Sequence, residues 1–179
     1  MTVAPVIETG RLRLRPLREA DLVTWSAVTA DQQVVRYLGG STLSREETWR
    51  RILATAGAWP VLGFGYWAVE ARAGGPMIGH VGFADFKRDM EPSIDGLPEM
   101  GWVFAPAAQG QGYAGEAVAA ALDWADRGMA PDEVVAIVDP GNARSIRIAE
   151  RAGFALCEDA TYRNEPILLF RRLRGRCLR

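Results

Sequence analysis

Histidine, lysine and cysteine are almost missing from this sequence. Its 179 residues contain one histidine, His80, one lysine, Lys87, and two cysteines, Cys157 and Cys177. That set cannot build the usual four-ligand zinc site or a disulfide framework, so no metal is expected. Sparse cysteine also suits a reducing compartment, and Cys157 is expected to be buried and inert. An excess of charge is lacking too. The 21 basic and 22 acidic residues leave a formal net charge of −1, so no global field draws the chain to nucleic acid or an anionic membrane. Long apolar runs are absent: none approaches the roughly 18 residues of a membrane span. The first residues carry Glu8 and Arg11 and lack the apolar core of a signal peptide. A cytoplasmic setting is the expectation. The arginines at 171–176 invite a phosphate or RNA reading, but a solvated, frayed end is expected instead. What remains is ordinary: 49% hydrophobic and 24% charged residues, near the globular average. A chain of this length fits one domain, and such a domain buries roughly 70% of its unfolded surface.

Along the chain, residues 11–15 read R-L-R-L-R, a strict alternation that predicts a half-buried strand. Leu22, Trp25 and Val28 recur at helical spacing. Ser44 with Glu47 forms a capping box that opens a further helix, and Gly57 is its expected stop. Trp25, Trp49 and Trp59 on or near these helices are expected to pack. Tyr66–Ala71 and 77–86 predict two strands joined at Gly74-Gly75-Pro76, with His80 packing or bonding locally inside the second. A polar loop follows, then a short strand, Glu99–Phe104. Residues 114–127 are alanine-rich and helical. The β-branched run 134–138 suits a strand buried on both faces. Asn142 caps a helix over 143–152 that Gly153 closes, and strands at 154–162 and 167–173 complete the chain. With no repeat and no linker, this is one mixed α/β domain over residues 1–179.

The turn Gln109-Gly110-Gln111-Gly112-Tyr113-Ala114-Gly115 lies between a strand and a helix. Glycines let the main chain turn sharply and expose its N–H groups. The helix that follows leaves its first amides unpaired and carries partial positive charge there, a setting for a diphosphate. Two patterns overlap. Gly110-x-Gly112-x-x-Gly115 matches the dinucleotide fingerprint, with Asp139 after a later strand as ribose ligand, which would make the chain an oxidoreductase. That motif belongs directly after the first strand of a βαβ unit, whereas here residues 105–109 intervene and a strand hairpin lies upstream.

The second pattern is Gln109-x-x-Gly112-x-Ala114. With Met100-Gly101-Trp102-Val103-Phe104-Ala105-Pro106 ahead of it and Glu116 after it, this stretch resembles motif A of the GCN5-related N-acetyltransferase (GNAT) superfamily. Asn142-Ala143-Arg144-Ser145 through Glu150-Arg151-Ala152-Gly153-Phe154 resembles motif B. Residues 9–15 and 78–83 resemble the first strand and hairpin, and the detailed likeness is to the branch of ribosomal-protein alanine N-acetyltransferases. The resemblance implies a mostly antiparallel mixed sheet with flanking helices and splayed fourth and fifth strands. It implies acetyl-CoA as cosubstrate, no metal, and a primary amine as acceptor, on a peptide or protein N-terminus or a small molecule. It places the pantetheine arm on Trp102, Val103 and Phe104. It places the diphosphate on Gln109, Gly110, Gln111, Gly112, Tyr113, Ala114 and Gly115, and the pantetheine or thioester end on Asn142 and Ser145.

An amine attacks a thioester only when neutral, and at pH 7 a free lysine side chain is neutral on the order of one time in a thousand. A carboxylate that takes the proton therefore helps. Glu99, at the start of the strand that would hold the thioester, is the candidate base, and Asp85 is the second. A main-chain N–H near Val103 is the natural oxyanion donor. The position where many family members carry a tyrosine acid is Ala149, which leaves Ser145 as a hydrogen-bonding partner for the sulfur. A non-catalytic acyl-CoA-binding module is the competing reading. No motif names the acceptor or the oligomeric state, a homodimer included.

Overall fold

The computed structural model describes residues 3–129 and 132–173, and the alternating run at 11–15 becomes its second strand. Strand β1 (Ile7–Glu8) pairs with β2 (Leu12–Arg15). Leu12 and Leu14 are fully buried while Arg13 faces outward. Arg15 is buried as well, because two carboxylates meet it: Asp21 at 2.7 Å and Glu70 at 2.6 Å. Asp21 opens helix α1 (Asp21–Thr29) and Glu70 lies on β3 (Tyr66–Ala71). The ion pairs thus staple the helix to the sheet, and a buried cation with two anions needs this full set of partners.

Helix α2 (Gln32–Val35), absent from the sequence expectation, is started by Asp31, whose carboxylate accepts from the Gln33 amide at 2.8 Å. Helix α3 (Arg45–Leu62) begins with the capping box: Ser44 Oγ accepts from the Glu47 amide, and Glu47 accepts from the Ser44 amide. Gly57 is not its stop. The helix runs on to Leu62 and closes at Gly63, φ 79°. An interior glycine costs about 1 kcal/mol, which the burial of Trp59 offsets; its indole N–H also donates to the Tyr66 carbonyl at 3.1 Å.

Strand β4 (Met77–Ala84) ends before Phe86, since Asp85 accepts from the Lys87 and Gly96 amides and turns the chain away. Then come β5 (Met90–Glu91), β6 (Glu99–Phe104), a 3₁₀ turn at Pro106–Ala108, and α4 (Tyr113–Asp126). The chain finishes with β7 (Glu133–Val138), α5 (Ala143–Arg151), β8 (Ala155–Tyr162) and β9 (Glu165–Leu173). Strand β5, which the sequence hid in a polar loop, pairs with the end of β8.

The strands form one nine-stranded sheet, ordered β1-β2-β3-β4-β6-β7-β9-β8-β5. Every neighbouring pair is antiparallel except β6 with β7. On one face, Ala117, Val118, Ala121, Leu122 and Ala125 of α4 pack over Trp67, Val69, Val81 and Phe83. On the other, Leu22, Trp25, Val34 and Ile52 of α1 to α3 pack over Ala68 and Met77. Adjacent residues of one strand thus serve different cores. This is the mixed, mostly antiparallel α/β fold that the sequence implies. No helix among the described residues is long and apolar enough to cross a membrane.

Two expectations change at the C-terminal end. Cys157 is exposed, not buried, because β5 covers β8 only at Thr161 and Tyr162. Arg171 and Arg172 belong to β9 and pair with Glu133 and Asp126 at 2.9 and 2.6 Å, so they are not a frayed tail. Residues 174–176 and Cys177 lie outside the described residues.

Candidate functional site

Strands β6 and β7 meet at a single register pair, Glu99 with Val135, closed by the Val135 amide donating to the Pro98 carbonyl at 3.0 Å. Beyond it they part. The rest of β6 pairs only with β4, and the rest of β7 only with β9. In an antiparallel pair the main-chain groups alternate between the two sides of a strand. The Ala105 amide bonds the Ile78 carbonyl of β4, so Val103 and Gly101 also direct their amides to β4. The groups of Met100, Trp102 and Phe104 then face the cleft. The Val103 N–H itself is committed to the sheet, so the amides near it that face the cleft are those of Trp102 and Phe104. The main-chain groups of Trp102 and the Phe104 amide have no partner on β7.

Because β6 and β7 run parallel, the helices that follow them, α4 and α5, both begin at the open end of the cleft. The chain reaches α4 through the turn read from the sequence. Gly110 and Gly112 have φ of 77° and 78°, values that a side chain disfavours. No side chain caps α4, and the amides of residues 111–115 make no hydrogen bond among the described residues. The loop is braced from outside. Gln109 donates to the Phe104 carbonyl at 3.2 Å and accepts from Arg144 Nη1 at 2.7 Å, tying β6 to the start of α5. Gln111 donates to the Ala107 carbonyl at 2.8 Å. Both glutamine side chains therefore hold the turn, leaving its main chain free.

A cation beside this turn escaped the sequence reading. Arg11 donates to the Gln111 carbonyl at 2.9 Å, stacks on the Tyr113 ring at 4.8 Å, and bonds Glu116 at 2.7 Å. Glu116 also accepts from the Thr9 hydroxyl at 2.6 Å and the Arg11 amide at 2.9 Å. Partial burial raises the Glu116 pKa, but these bonds outweigh it and the net shift is downward. The lone signal was Thr9 and Arg11 at the head of the alternating run, and nothing in the sequence linked them to Glu116.

At the apex of the cleft, Glu99 is buried and both its oxygens are taken by Arg88, at 2.5 and 2.8 Å. Arg88 in turn lies between the Phe86 and Tyr162 rings, 4.7 and 4.8 Å from their centroids. The candidate base is thus half of an ion pair. Asp85, the second candidate, is engaged by Lys87 and the Gly96 amide. His80 packs between Trp25 and Tyr66, with ring centroids 5.6 and 4.3 Å away. Its Nε2 is sealed from solvent and has no hydrogen-bond partner among the described residues. Burial, opposed by the Asp21 charge, pushes its pKa down to about 3, so the ring is neutral.

Across the cleft, Asn142 caps α5 by accepting from the Ser145 amide at 3.1 Å. The Ser145 hydroxyl makes no hydrogen bond among the described residues, and Ala149 is fully buried. No group of three His, Cys, Asp or Glu that could hold a metal exists among the described residues. The site offers an unpaired strand edge, a ring of free amides at a helix start, and a buried carboxylate at the apex.

Comparison with known proteins gives the following. A family model described as an acetyltransferase (GNAT) domain matches residues 11–155. The uncharacterized protein YkkB of Bacillus subtilis is 27% identical over 96% of this chain and 98% of its own. A solved GnaT-family acetyltransferase assignment from Bordetella pertussis is 32% identical, with a TM-score of 0.82 over 94% of this chain and 99% of that one. A ribosomal L7/L12 α-N-protein acetyltransferase solved with coenzyme A shares the fold, at 16% identity and a TM-score of 0.76, covering 94% of this chain and 98% of that one.

Proposed function

Because this chain belongs to the GNAT family of acetyltransferases, we propose that it moves an acetyl group from acetyl-CoA to a primary amine, on a peptide or protein N-terminus or a small molecule. One juxtaposition carries the reading: the free amides at residues 111–115 stand at the mouth of a strand edge whose bonds to β7 are unmade. A diphosphate suits the first, and an arm of two amides suits the second, adding itself as a strand would. The donor set fits the coenzyme without any metal. Main-chain groups of Gly110, Gln111, Gly112, Tyr113, Ala114 and Gly115 hold the diphosphate in this reading, with Gln109 acting as their brace. Trp102 and Phe104 hold the pantetheine arm through the main chain, and Val103 through its side chain. Asn142 and Ser145 meet the thioester end.

The chemistry is addition and elimination. The neutral amine adds to the thioester carbonyl, forming a C–N bond and an oxyanion. The C–S bond then breaks as the carbonyl re-forms, and the amine nitrogen gives up a proton. Glu99 accepts that proton, directly or through water. Arg88 occupies one site on each oxygen, yet a carboxylate offers about four. Addition also makes the nitrogen cationic and strongly acidic, so a carboxylate paired with a guanidinium still suffices. The single domain spans residues 1–179 in this reading, and the exposed free thiol of Cys157 supports a cytoplasmic setting.

The test is thiol release from acetyl-CoA against a panel of amines, including a peptide with a free N-terminal alanine. Release with at least one amine supports the reading. Binding of acetyl-CoA without release by any of them assigns a non-catalytic module. Thermal stabilisation by NAD but not by acetyl-CoA would reverse the choice of nucleotide.

A further inference from the structure

Two neighbouring strands are cleared of side chains along one line on the α1 side of the sheet, and a tyrosine from a third lies across them. Tyr66 of β3 pairs in register with Gly82 of β4, and Gly82 pairs with Gly101 of β6. Glycine weakens a strand unless another group must approach closely, and both glycines meet that condition. A Cβ at Gly82 would lie 2.3 Å from the Gly65 carbonyl oxygen and 2.4 Å from Tyr66 Cα. A Cβ at Gly101 would lie 2.3 Å from the Tyr66 hydroxyl. The tyrosine therefore crosses β4 and ends over β6, the strand that borders the cleft.

Packing alone does not require the hydroxyl, since phenylalanine would cover the same glycines. Tyr66 is only 9% exposed, and a tyrosine that buried normally finds a partner for its O–H. Here the hydroxyl makes no hydrogen bond among the described residues, and it is not one of the polar atoms sealed from solvent. The Tyr66 ring centroid lies 4.3 Å from that of His80 and 6.5 Å from that of Phe86, and the charges of Glu99 and Arg88 act on the phenol. Burial first, and then the Glu99 charge, raise the phenol's pKa above its ordinary value. It therefore stays protonated at neutral pH, where it can donate a hydrogen bond and does not act as a base.

We propose that Tyr66 is a catalytic residue, its hydroxyl donating a hydrogen bond to the oxygen of the tetrahedral adduct that forms when the amine adds to the thioester. This rests on the acetyl-transfer reading above. The hydroxyl keeps its proton throughout: it stabilises the oxyanion while the C–N bond forms, and the bond weakens when the carbonyl returns and the thiolate leaves. Gly101 is the opening through which it reaches the adduct. Because the bond strengthens only as charge develops, it raises turnover and not coenzyme affinity.

Tyr66→Phe removes one atom that makes no hydrogen bond among the described residues. It is expected to lower kcat about 100-fold, with KM for acetyl-CoA within twofold and an unchanged melting temperature. Gly101→Ala, which drives a methyl group against the hydroxyl, is expected to give a similar loss. The double variant should then be little worse than either single one, as two changes to one interaction are non-additive. A kcat for Tyr66→Phe within threefold of the wild type overturns the proposal. So does a Tyr66→Phe chain that fails to fold, because the hydroxyl would then hold structure. A wild type that releases no thiol with any amine refutes the acetyl-transfer reading itself, a result distinct from either.

Discussion

Replacing Gly112 by aspartate tests the diphosphate site with a charge placed at its centre. Gly112 has φ 78°, a conformation that costs a non-glycine residue about 1–2 kcal/mol. Its Cβ would stand 3.4 Å from Arg11 Nη2, so the new carboxylate is drawn towards that cation and sits among the free amides. A second unit of negative charge at about 4 Å is repelled by about 1 kcal/mol in water and about 4 kcal/mol at an effective dielectric of about 20. Those bounds correspond to a loss of coenzyme affinity between roughly 5- and 1000-fold. Gly112→Ala is the control, since it carries the same backbone strain without the charge. Calorimetric titration with coenzyme A, alongside thermal melts, separates the two contributions. Both variants should melt lower by similar amounts, and only aspartate should bind much more weakly. The gap between them should narrow from 0.1 to 1 M salt, as the screening length falls from about 10 to about 3 Å. If aspartate binds coenzyme A within threefold of the alanine control at low salt, no diphosphate lies at this turn.

Glu99→Gln keeps a bond to Arg88 but cannot take a proton; kcat for acetyl transfer should fall by about 10²–10⁴, with coenzyme affinity preserved in titration. His80 gives the fold a pH dependence of known sign. Its folded pKa of about 3 lies below the ordinary value of 6.5, so the unfolded chain binds the extra proton between them. The stability from this group is complete above about pH 6.5 and is lost as pH falls, at up to about 1.4 kcal/mol per unit. Urea melts from pH 7 to pH 4 should show that slope, and His80→Leu should flatten it. Gly82→Ala would set a methyl against the main chain of Gly65 and Tyr66; overpacking costs roughly 1–3 kcal/mol. A melt unchanged in that variant would contradict the close strand-crossing at this point.

What the sequence disclosed was local. The Ser44 and Glu47 box, the Asn142 cap and the glycine turn each depend on groups within four residues, and the structure forms all three. The pairs that shape the site span the chain instead. Arg11 and Glu116 are 105 positions apart, and no spacing rule connects them. Arg88 was hidden in a loop without periodicity, so Glu99 read as a free carboxylate. Tyr66 looked like one more strand aromatic, because its role depends on the register that aligns Gly82 and Gly101. Gly57 misled for the opposite reason: a local stop signal lost to the distant burial of Trp59. The side on which Val103 spends its amide also follows from strand partners, which one sequence cannot name.

The parted strands have a consequence for the energy of the whole protein. Main-chain groups on the β6 margin at Trp102 and Phe104 gain no ladder partner when the chain folds alone, so part of the cohesion of the sheet is withheld until another molecule supplies it. Whatever fills that gap contributes to folding as well as occupying a site. At a hundred times its dissociation constant it adds about 2.7 kcal/mol, a large share of the 5–15 kcal/mol typical of a domain. The lifetime of the protein in the cell would then follow the supply of its own substrate.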